Sequence, residues 1–458
     1  MLRIAPNLNA VAHPKQYGCT KGCSTETAIC ALIGSVQNAQ NHCKHVMAVF
    51  YDIAGAFNSV WWPLALKCLA EARIPSNIYK LMTSYFQNRR AIMHTHTALI
   101  QTEITRGCPQ GSVLGAPIWN IVFADLLRTL SDGGWDVFAY VDDLAVVVRA
   151  NSIADLVTQA ELCSTHIKRW CDNAKLRLAA EKTQAIISKG GGDARHPTRF
   201  NVDGVKIEEG LQAKYLGVTL NSRLSPGAHV ADVMAKVVRL SASIRGLSGP
   251  RWGTTFQERV KYYSMVFLPT VLYAASTWWD KPTKEMRARV NRMQRGALIA
   301  MTRAYRTVST DALQVLAGCE PLDLVLDARV AIIGVKWPQR RSARVRQELE
   351  ELLAQPLTAS RKMSRIEEWV AMQWQERWES SNKGRVTYEY FPSTVRQCTA
   401  YNEDRRAQFN SSQYWGLLAD LLATKEAFHR LERFAKAWAI RRGEGEELVE
   451  TERRSQAR

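Results

Sequence analysis

The sequence predicts an α+β fold in which an antiparallel sheet is layered on helices and is followed by a largely helical second half. Up to about residue 225, short apolar runs rich in β-branched residues alternate with longer segments of helical periodicity. After Pro226 the pattern is helical to the end of the chain. A length of 458 residues leaves room for two or three domains, and we place them at 1–225, 226–335 and 336–458.

The first elements lead to a single carboxylate. Ser24 or Thr25 is predicted to cap a helix that follows a glycine-punctuated loop. The apolar run His45–Tyr51 has the length of a strand and ends at Asp52, just before a turn of small residues. A carboxylate at the end of a strand is well placed for chemistry, although a lone aspartate there more often serves as a turn or cap residue.

Two helical segments and a tight turn come next. Residues 61–90 are predicted to be helical, with a break at 74–77 where a proline follows an isoleucine. Glycine and proline set a tight backbone path through Arg106–Ser112. Ser112 can then cap a helix that runs to about Leu130.

A hairpin is predicted around Asp142 and Asp143, which lie between the apolar runs 137–139 and 144–148. Two adjacent carboxylates repel each other, so the pair is tolerable at an exposed tip or where a cation neutralises it. For an isolated pair the ordinary interpretation is a solvated turn. The rest of the chain favours the other interpretation, in which a bound cation neutralises the two carboxylates.

After the hairpin we predict one helix and three further strands, which complete the sheet and its helical layer. They are a helix at 153–170 and strands at 183–188, 200–207 and 215–220. The second of these strands turns at Asp203-Gly204.

The charge of the chain indicates a polyanionic partner. The formal net charge is +18, which bears on partners rather than on fold. The segment Met286–Arg306 carries six arginines and no acid, so it lacks the usual ion pairs along a helix. Both a solvated helical face and a phosphate-binding surface explain this run, and the sequence leaves the choice open.

Several classes of protein are disfavoured. The ten cysteines show no CxxC pair and no zinc spacing, and Cys19 and Cys23 alone are weak support for a metal. We therefore expect reduced thiols in an intracellular protein. The sequence shows no signal peptide and no uncharged apolar run of the roughly 20 residues that a membrane helix needs, so no membrane partner is expected.

Asp52, Asp142 and Asp143 together form a candidate metal site. Carboxylates on neighbouring strands can hold two Mg²⁺ ions about 3.5–4 Å apart for in-line phosphoryl transfer. Mg²⁺ favours a few carboxylates together with phosphate oxygens of the substrate. The three aspartates therefore predict phosphoryl-transfer chemistry.

A series of motifs carries a resemblance to a known family. In chain order they are Gln16-Tyr17-Gly18 with Lys21-Gly22 and Ser24-Thr25-Glu26; Phe50-Tyr51-Asp52 through Ala56-Phe57 with Val60-Trp61-Trp62-Pro63; Gly107 with Pro109-Gln110-Gly111-Ser112-Val113-Leu114-Gly115; Tyr140-Val141-Asp142-Asp143; Lys182-Thr183; and Lys214-Tyr215-Leu216-Gly217-Val218. Each is weak alone, but the order is specific. From Gln16 to about Arg329 the chain resembles the reverse transcriptase of non-LTR (LINE-type) retrotransposons, most like the clade that inserts at specific sites.

The resemblance implies a right-hand polymerase fold. Residues 1–225 would form partial fingers and the palm, 226–335 a helical thumb, and 336–458 a helical C-terminal region with a charged, disordered tail. The enzyme would extend the 3′-hydroxyl of a DNA primer on an RNA template with dNTPs, using two Mg²⁺ ions or Mn²⁺ in their place. The protein would act in the nucleus after synthesis in the cytoplasm. No oligomeric state is predicted.

The resemblance also implies a role for each matching residue. Metal binding would fall to Asp52, Ile53, Asp142 and Asp143, with Asp52, Asp142 and Asp143 catalytic. Nucleotide binding would involve Ala56, Phe57, Gln110, Gly111 and Lys182. In that set Phe57 would exclude a 2′-hydroxyl, and Lys182 would donate a proton to pyrophosphate. The primer grip would be Tyr215, Leu216 and Gly217. The duplex backbone would meet Arg287, Arg289, Arg292 and Arg295.

Departures from the family keep other readings open. Cys19, Cys23 and Asn58 stand where the family usually has Phe, Arg and Asp. An endonuclease and a zinc knuckle are missing from the ends, so we expect an enzyme truncated at both ends. The main alternative is a catalytically degenerate remnant that only binds RNA or DNA through its basic thumb. An interaction module and an unrelated metal-dependent phosphotransferase are further alternatives.

Overall fold

The computed structural model describes residues 12–108, 112, 114–189, 197–246, 253–338 and 345–394. The chain divides into two compact units, residues 1–392 and 393–458. Nearly all described residues belong to the first unit. The tail predicted to be disordered lies outside the described residues, and the three predicted domains stay predictions.

Helices and strands alternate through the first half of the chain. They are α1 (Thr25–His42), β1 (His45–Tyr51), β2 (Ile53–Ala54), α2 (Ala56–Ser59), α3 (Trp62–Glu71), α4 (Ser76–Phe86), β3 (Arg90–His94), β4 (Leu99–Glu103), α5 (Gly115–Asp132), β5 (Asp136–Tyr140), β6 (Asp143–Ala150), α6 (Ile153–Asn173), β7 (Arg177–Leu178), β8 (Gln184–Lys189), β9 (Arg199–Val202), β10 (Val205–Glu208), β11 (Gln212–Tyr215) and β12 (Val218–Asn221).

Helices make up the described part of the second half. They are α7 (Gly227–Gly246), α8 (Phe256–Tyr262), a π-helical turn (Tyr263–Phe267), α9 (Leu268–Leu272), α10 (Ala275–Trp278), α11 (Lys284–Thr302), α12 (Thr310–Ala317), α13 (Leu322–Lys336), α14 (Gln347–Ala354), α15 (Ala359–Ser380) and α16 (Arg385–Tyr390). In the described residues the predicted change of texture after Pro226 is confirmed. No described helix is long and apolar enough to cross a membrane.

A four-stranded antiparallel sheet in the order β5-β6-β1-β8 forms the centre of the first half. Alternate residues of each strand face opposite sides of a sheet. In β1, Met47, Val49 and Tyr51 pack with α5 and α6, whereas Val46 and Phe50 pack with α1 and the β11–β12 hairpin. Helices therefore cover both faces, and the predicted α+β class is confirmed.

Helix boundaries follow local capping chemistry. Ser24 caps α1 in a capping box with Thr27, as one of the two predicted caps. The predicted break is confirmed, because Pro75 precedes α4. The predicted cap at Ser112 is wrong: α5 begins at Gly115 behind Leu114, and the Ser112 hydroxyl accepts the Leu114 N–H at 3.4 Å without capping the helix.

The β3–β4 hairpin was not predicted. The prediction of helix to residue 90 is wrong, because α4 ends at Phe86 and two paired strands follow. Every residue of both strands is exposed. Because neither face is buried, the hairpin lacks the alternation of apolar and polar residues that identifies a half-buried strand.

The helices α7 to α13 enclose a second core. It joins the first half through the buried side chain of Glu26 on α1, which accepts the Ser276 N–H at 2.8 Å and pairs with Arg329 at 3.4 Å. In this core the buried carboxylates of Asp323 and Asp327 also pair with arginines.

Candidate active site

The register of the central sheet brings two of the predicted catalytic aspartates together. Tyr51 of β1 pairs with Leu144 of β6, so the next position sets Asp52 opposite Asp143. On the other side Phe50 pairs with Gln184, and two residues further on Lys182 stands opposite Asp52. The Lys182 Nζ lies 2.9 Å from the Asp52 Oδ2.

The turn of the β5–β6 hairpin consists of Val141 and Asp142. Tyr140 pairs with Asp143, so Asp143 is the first residue of β6 rather than part of the tip. The predicted tip is therefore shifted by one residue. Val141 has φ of 61°, a left-handed conformation that β-branched residues rarely adopt.

Negative charge accumulates at this end of the sheet. Loss of hydration and the charges of Asp142 and Asp52 raise the pKa of Asp143 to about 6. Burial raises the pKa of Asp142, and the charge of Asp52 adds to this rise. In contrast, the hydrogen bond and charge of Asp52 raise the pKa of Lys182. The site therefore favours a cation beside its carboxylates.

The donor set suits a divalent ion in an open site. Carboxylate oxygens are the ligands that Mg²⁺ prefers, and the Lys182 ammonium group already lies as a cation on Asp52. Ile53 is buried and aliphatic, so it could contribute only its carbonyl oxygen. Among the described residues no group of three or more His, Cys, Asp or Glu side chains encloses a metal position. Further ligands would have to come from phosphate oxygens.

A short helix after Asp52 carries the predicted gate. Gly55 begins it with φ of 61°, and Ala56 is buried behind it. The Phe57 ring is partly buried and stacks on Trp119, with ring centroids 6.1 Å apart. The Phe57 carbonyl accepts the Cys108 N–H at 2.7 Å, which ties this helix to the segment before α5.

The segment before α5 passes close to the main chain of Asn58, and this contact fixes its path. Gly107 has φ of 90°, and a Cβ atom there would lie 2.6 Å from the Asn58 carbonyl oxygen. The Trp62 indole also donates to the Gly107 carbonyl at 2.8 Å. The next predicted residues, Gln110 and Gly111, lie outside the described residues.

Comparisons with known proteins identify the family. Residues 2–220 match the family model for reverse transcriptase (RNA-dependent DNA polymerase). The chain is 31% identical over 297 residues to a retrovirus-related Pol polyprotein from type-1 retrotransposable element R1 of Nasonia vitripennis, covering 62% of this chain and 85% of that protein. The chain belongs to the reverse transcriptases of non-LTR retrotransposons. The predicted resemblance and the α+β polymerase fold are confirmed.

Other relatives define how much of the family this reverse transcriptase spans. It is 31% identical over 389 residues to the R1 Pol polyprotein of Bradysia coprophila, covering 83% of this chain and 37% of that protein. The chain therefore spans little more than a third of that relative. Apo telomerase from Candida tropicalis shares 12% identity at a TM-score of 0.41, covering 77% of this chain and 60% of the telomerase chain, a likeness too weak to bear on the fold.

Two of the three residues predicted to form the primer grip of this reverse transcriptase lie in a turn. Leu216 and Gly217, both with positive φ, connect β11 to β12. The Tyr215 side chain is buried instead, packing on Phe50 with ring centroids 5.2 Å apart. Burial raises the pKa of Tyr215 far above its usual range. Its ring therefore packs inside the first half of the chain, and the role of these three residues toward a primer stays a prediction.

The predicted arginine surface also loses one member. Arg287 donates to both oxygens of Asp327 at 2.6 and 3.1 Å, so its charge is neutralised inside the thumb. Arg289 and Arg292 instead line a groove between α7 and α11, together with Arg245. Arg295 donates to the Thr310 hydroxyl and to the Arg306 carbonyl, at 3.1 and 2.5 Å.

Two residues that lie at the site, Gln16 and Trp119, have no role there that the sequence predicts. Gln16 was noted only as part of a motif, and Trp119 was not singled out. Both side chains are fully buried and bond to the main chain of Val141. A buried glutamine has no periodic signature, and its partner is 125 positions away in the sequence.

Proposed function

We propose that this chain is an RNA-directed DNA polymerase core that extends a 3′-hydroxyl primer with dNTPs. The observation that carries this proposal is the sheet register that sets Asp52 opposite Asp143 and next to the Asp142 turn. Membership of the reverse transcriptase family supports the same activity. The residues of the chain then divide into those that would bind metal ions or the triphosphate, those that would select the nucleotide and those that would bind nucleic acid.

Divalent metal ions are general in this family, and the donor set here suits them. We propose Mg²⁺, as two ions, with Mn²⁺ as a substitute. Asp52 and Asp142 would hold the ions directly, Asp143 would support them, and the Ile53 carbonyl would be an additional ligand. Bound there, the ions would lower the pKa of the primer hydroxyl and neutralise charge on the triphosphate.

Lys182 has two proposed positions. Without a divalent ion its ammonium group neutralises Asp52. Once another cation takes that carboxylate, Lys182 would be free to reach the triphosphate and donate a proton to the leaving pyrophosphate. Its side chain is 64% exposed, which leaves room for this movement.

The Phe57 ring would select the sugar. Its position is fixed by stacking on Trp119 and by the hydrogen bond from Cys108. A rigid aromatic edge beneath the sugar leaves no room for a 2′-hydroxyl. We expect Phe57→Val to raise ribonucleotide incorporation by at least about tenfold, because van der Waals exclusion of this kind accounts for roughly 1–3 kcal/mol.

The measurement is the ratio of dNTP to rNTP incorporation by single-nucleotide extension. Phe123→Leu, which alters an aromatic residue behind Trp119 in the same core, is the matched control. An unchanged ratio in Phe57→Val would remove the gate role.

Nucleic-acid partners follow from charge and from two surfaces. The net charge of +18 favours polyanions. The Leu216-Gly217 turn would hold the DNA primer, and the groove lined by Arg289 and Arg292 would contact the phosphates of the RNA–DNA duplex without reading sequence. We propose action in the nucleus after synthesis in the cytoplasm.

The decisive experiment is extension of oligo(dT) on poly(rA) with dTTP and Mg²⁺. The wild type should extend the primer, and Asp142→Asn should abolish extension. Asp136→Asn changes a carboxylate of the same hairpin away from the site and should retain it. Extension that survives Asp142→Asn would refute the mechanism.

The substitutions at Cys19, Cys23 and Asn58 favour one other candidate, a remnant that binds RNA or DNA without extending it. Filter binding to a primer–template, measured together with extension, separates the two. Tight, salt-dependent binding with no extension by the wild type would select the remnant.

A further inference from the structure

The catalytic hairpin contains an unfavourable backbone conformation. Val141 has φ of 61°, and it is followed directly by Asp142. A β-branched residue in this region is strained and persists only where its surroundings enforce it. A change of φ at Val141 would also change the direction of the Asp142 side chain. The surroundings of Val141 therefore bear on the geometry of the carboxylates.

The side chain of Gln16 bonds to both main-chain polar groups of Val141. Its Oε1 accepts the Val141 N–H at 2.9 Å, and its Nε2 donates to the Val141 carbonyl at 3.0 Å. The same Oε1 accepts the Gly18 N–H at 3.0 Å, so the orientation of the amide is determined. Gln16 is fully buried and acts on Val141 as a partner strand would.

Trp119 forms the second contact. Its Nε1 donates to the Val141 carbonyl at 2.8 Å, so this carbonyl accepts two hydrogen bonds. The face of the same indole stacks on Phe57. One buried side chain therefore connects the turn that carries Asp142 to the predicted sugar gate.

The chain before α1 is built to approach this turn closely. A Cβ atom at Gly18 would lie 2.3 Å from the Val141 nitrogen, so only glycine fits there. The Asn120 amide donates to the Gly18 carbonyl at 2.9 Å. Tyr17 N–H donates to the Ala139 carbonyl at 2.7 Å, which adds this segment to the edge of β5. These bonds keep the contact rigid, although the Oδ1 of Asn120 is buried without a hydrogen-bond partner among the described residues.

We propose that Gln16 and Trp119 are positioning residues that hold Val141 at positive φ and thereby aim Asp142 for polymerisation. The positioning role rests on the proposed polymerase function. Neither side chain bonds to a carboxylate, so both act through the main chain of Val141. When the hold is lost, Val141 relaxes toward negative φ and the carboxylate turns away from its neighbours. Substitution of residues that orient catalytic groups typically costs about 10- to 100-fold.

Trp119→Phe is the sharpest test, because it removes the indole N–H and keeps an aromatic ring beside Phe57, and the loss of ring volume is matched in the control variant. We expect kcat for single-nucleotide extension to fall about 10- to 100-fold, with KM for dTTP and Kd for primer–template changed less than about twofold. Trp170→Phe is the matched control: its Nε1 donates to Asp125 at 3.1 Å in the same core, and kcat should be unaffected.

Gln16→Met is the second variant, because methionine keeps the length of the side chain and removes its hydrogen bonds. Hydrogen exchange of a peptide spanning residues 137–145 gives a readout independent of activity. Both variants should speed exchange in this peptide and leave exchange in peptides from α6 unchanged. In the Trp170→Phe protein, exchange in the peptide 137–145 should stay as in the wild type.

The outcomes separate the two proposals. If the wild type extends primers and both variants keep its kcat, the positioning role is overturned. If the variants leave exchange of the hairpin unchanged, the hold on Val141 is overturned as well. If the wild type does not extend primers although the variants loosen the hairpin, the polymerase proposal and the positioning role fall, and the hold on Val141 stands.

Discussion

Two groups of aspartates in this chain have the same chemistry and opposite surroundings. Asp323 and Asp327, one turn apart on α13, are buried and surrounded by cations. Asp323 accepts two hydrogen bonds from Arg377, at 2.8 and 3.0 Å, and one from Asn291. Asp327 accepts from Arg287, Arg346 and Trp279. Asp52, Asp142 and Asp143 crowd each other at the end of the sheet with Lys182 as the paired cation.

The pKa directions follow these surroundings. Although burial opposes it, the hydrogen bonds and charge of Arg377 hold the pKa of Asp323 below its usual value. Loss of hydration and neighbouring carboxylates move the pKa of Asp143 the other way, to about 6. The thumb aspartates are satisfied by the protein and stabilise it. The three aspartates at the end of the sheet differ: Asp52 pairs with Lys182, and its charge adds to the raised pKa values of Asp142 and Asp143, so their surroundings favour an additional cation.

The largest effect that distinguishes the two groups of aspartates is expected on the rate of primer extension. Asp142→Asn should lower the rate of primer extension by at least about 1,000-fold, because it removes a charge on which phosphoryl transfer depends. Circular dichroism and the unfolding midpoint should stay close to those of the wild type. An Asp142→Asn protein that had lost its fold would mean that the palm carboxylates are structural after all.

The second effect is on stability. Asp327→Ala should lower the free energy of unfolding by about 3 kcal/mol, because Arg287 and Arg346 would lose their ion pairs of 2.6 and 2.8 Å in a half-buried site and keep longer contacts, of 3.6 and 3.8 Å, with Asp323. Urea unfolding followed by tryptophan fluorescence measures this. The exposed pair Arg365–Glu368 provides the control, since Glu368→Gln should cost less than about 0.5 kcal/mol. Equal costs would remove the distinction between buried and exposed pairs.

Asp143→Asn is expected to raise the free energy of unfolding in metal-free buffer, by less than Asp327→Ala lowers it. Because the pKa of Asp143 is raised to about 6, the folded state binds more protons than the unfolded state between about pH 4 and 6. Stability contributed by the protonated form is therefore lost as pH rises through this window. At pH 7.5 the asparagine variant should be more stable by about 1 kcal/mol, after discounting the shift for an exposed side chain.

Urea unfolding at pH 5.0 and 7.5 with EDTA tests this prediction. The advantage of the variant should shrink at pH 5.0, where the wild-type carboxyl is largely protonated. The Asp136→Asn protein, which changes an aspartate at the other end of the same hairpin, serves as the control. A variant less stable than the wild type at pH 7.5 would show that Asp143 is satisfied by the protein, like Asp323.

The smallest effect concerns the arginines of α11. Arg292 is exposed, and Arg292→Ala should weaken binding to primer–template by a few fold and lower the slope of log K against log salt by about 1. Arg287→Ala should leave that slope unchanged and lower the unfolding midpoint instead, since its charge is neutralised by Asp327. A reduced salt slope in Arg287→Ala would return it to the binding surface.

Local chemistry was sufficient to predict most elements and to select three candidate aspartates, whose catalytic role stays a prediction. The strand before Asp52, the break at Pro75 and the hairpin at Asp142 all have signals within a few residues. The order of the motifs supplied the family, because each motif occupies a fixed place along the chain.

Long-range partners could not be predicted. The arginine run contains no acid of its own, and the counter-charge of Arg287 is Asp327, 40 positions away. Tyr215 belonged to a motif, but its burial depends on Phe50, far earlier in the chain. The hold of Gln16 on Val141 depends on a strand edge that no sequence period records. Each of these depends on tertiary pairing, which local propensity does not determine.

The β3–β4 hairpin has a consequence for the chain in concentrated solution. Ile92, Met93, Leu99 and Ile100 are exposed on it, and no further described strand covers its outer edges. Edges of this kind pair readily with another copy, and the repulsion of a net charge of +18 opposes that association. Salt screens this repulsion and also weakens binding to nucleic acid. The conditions that free the protein from nucleic acid therefore also favour its aggregation.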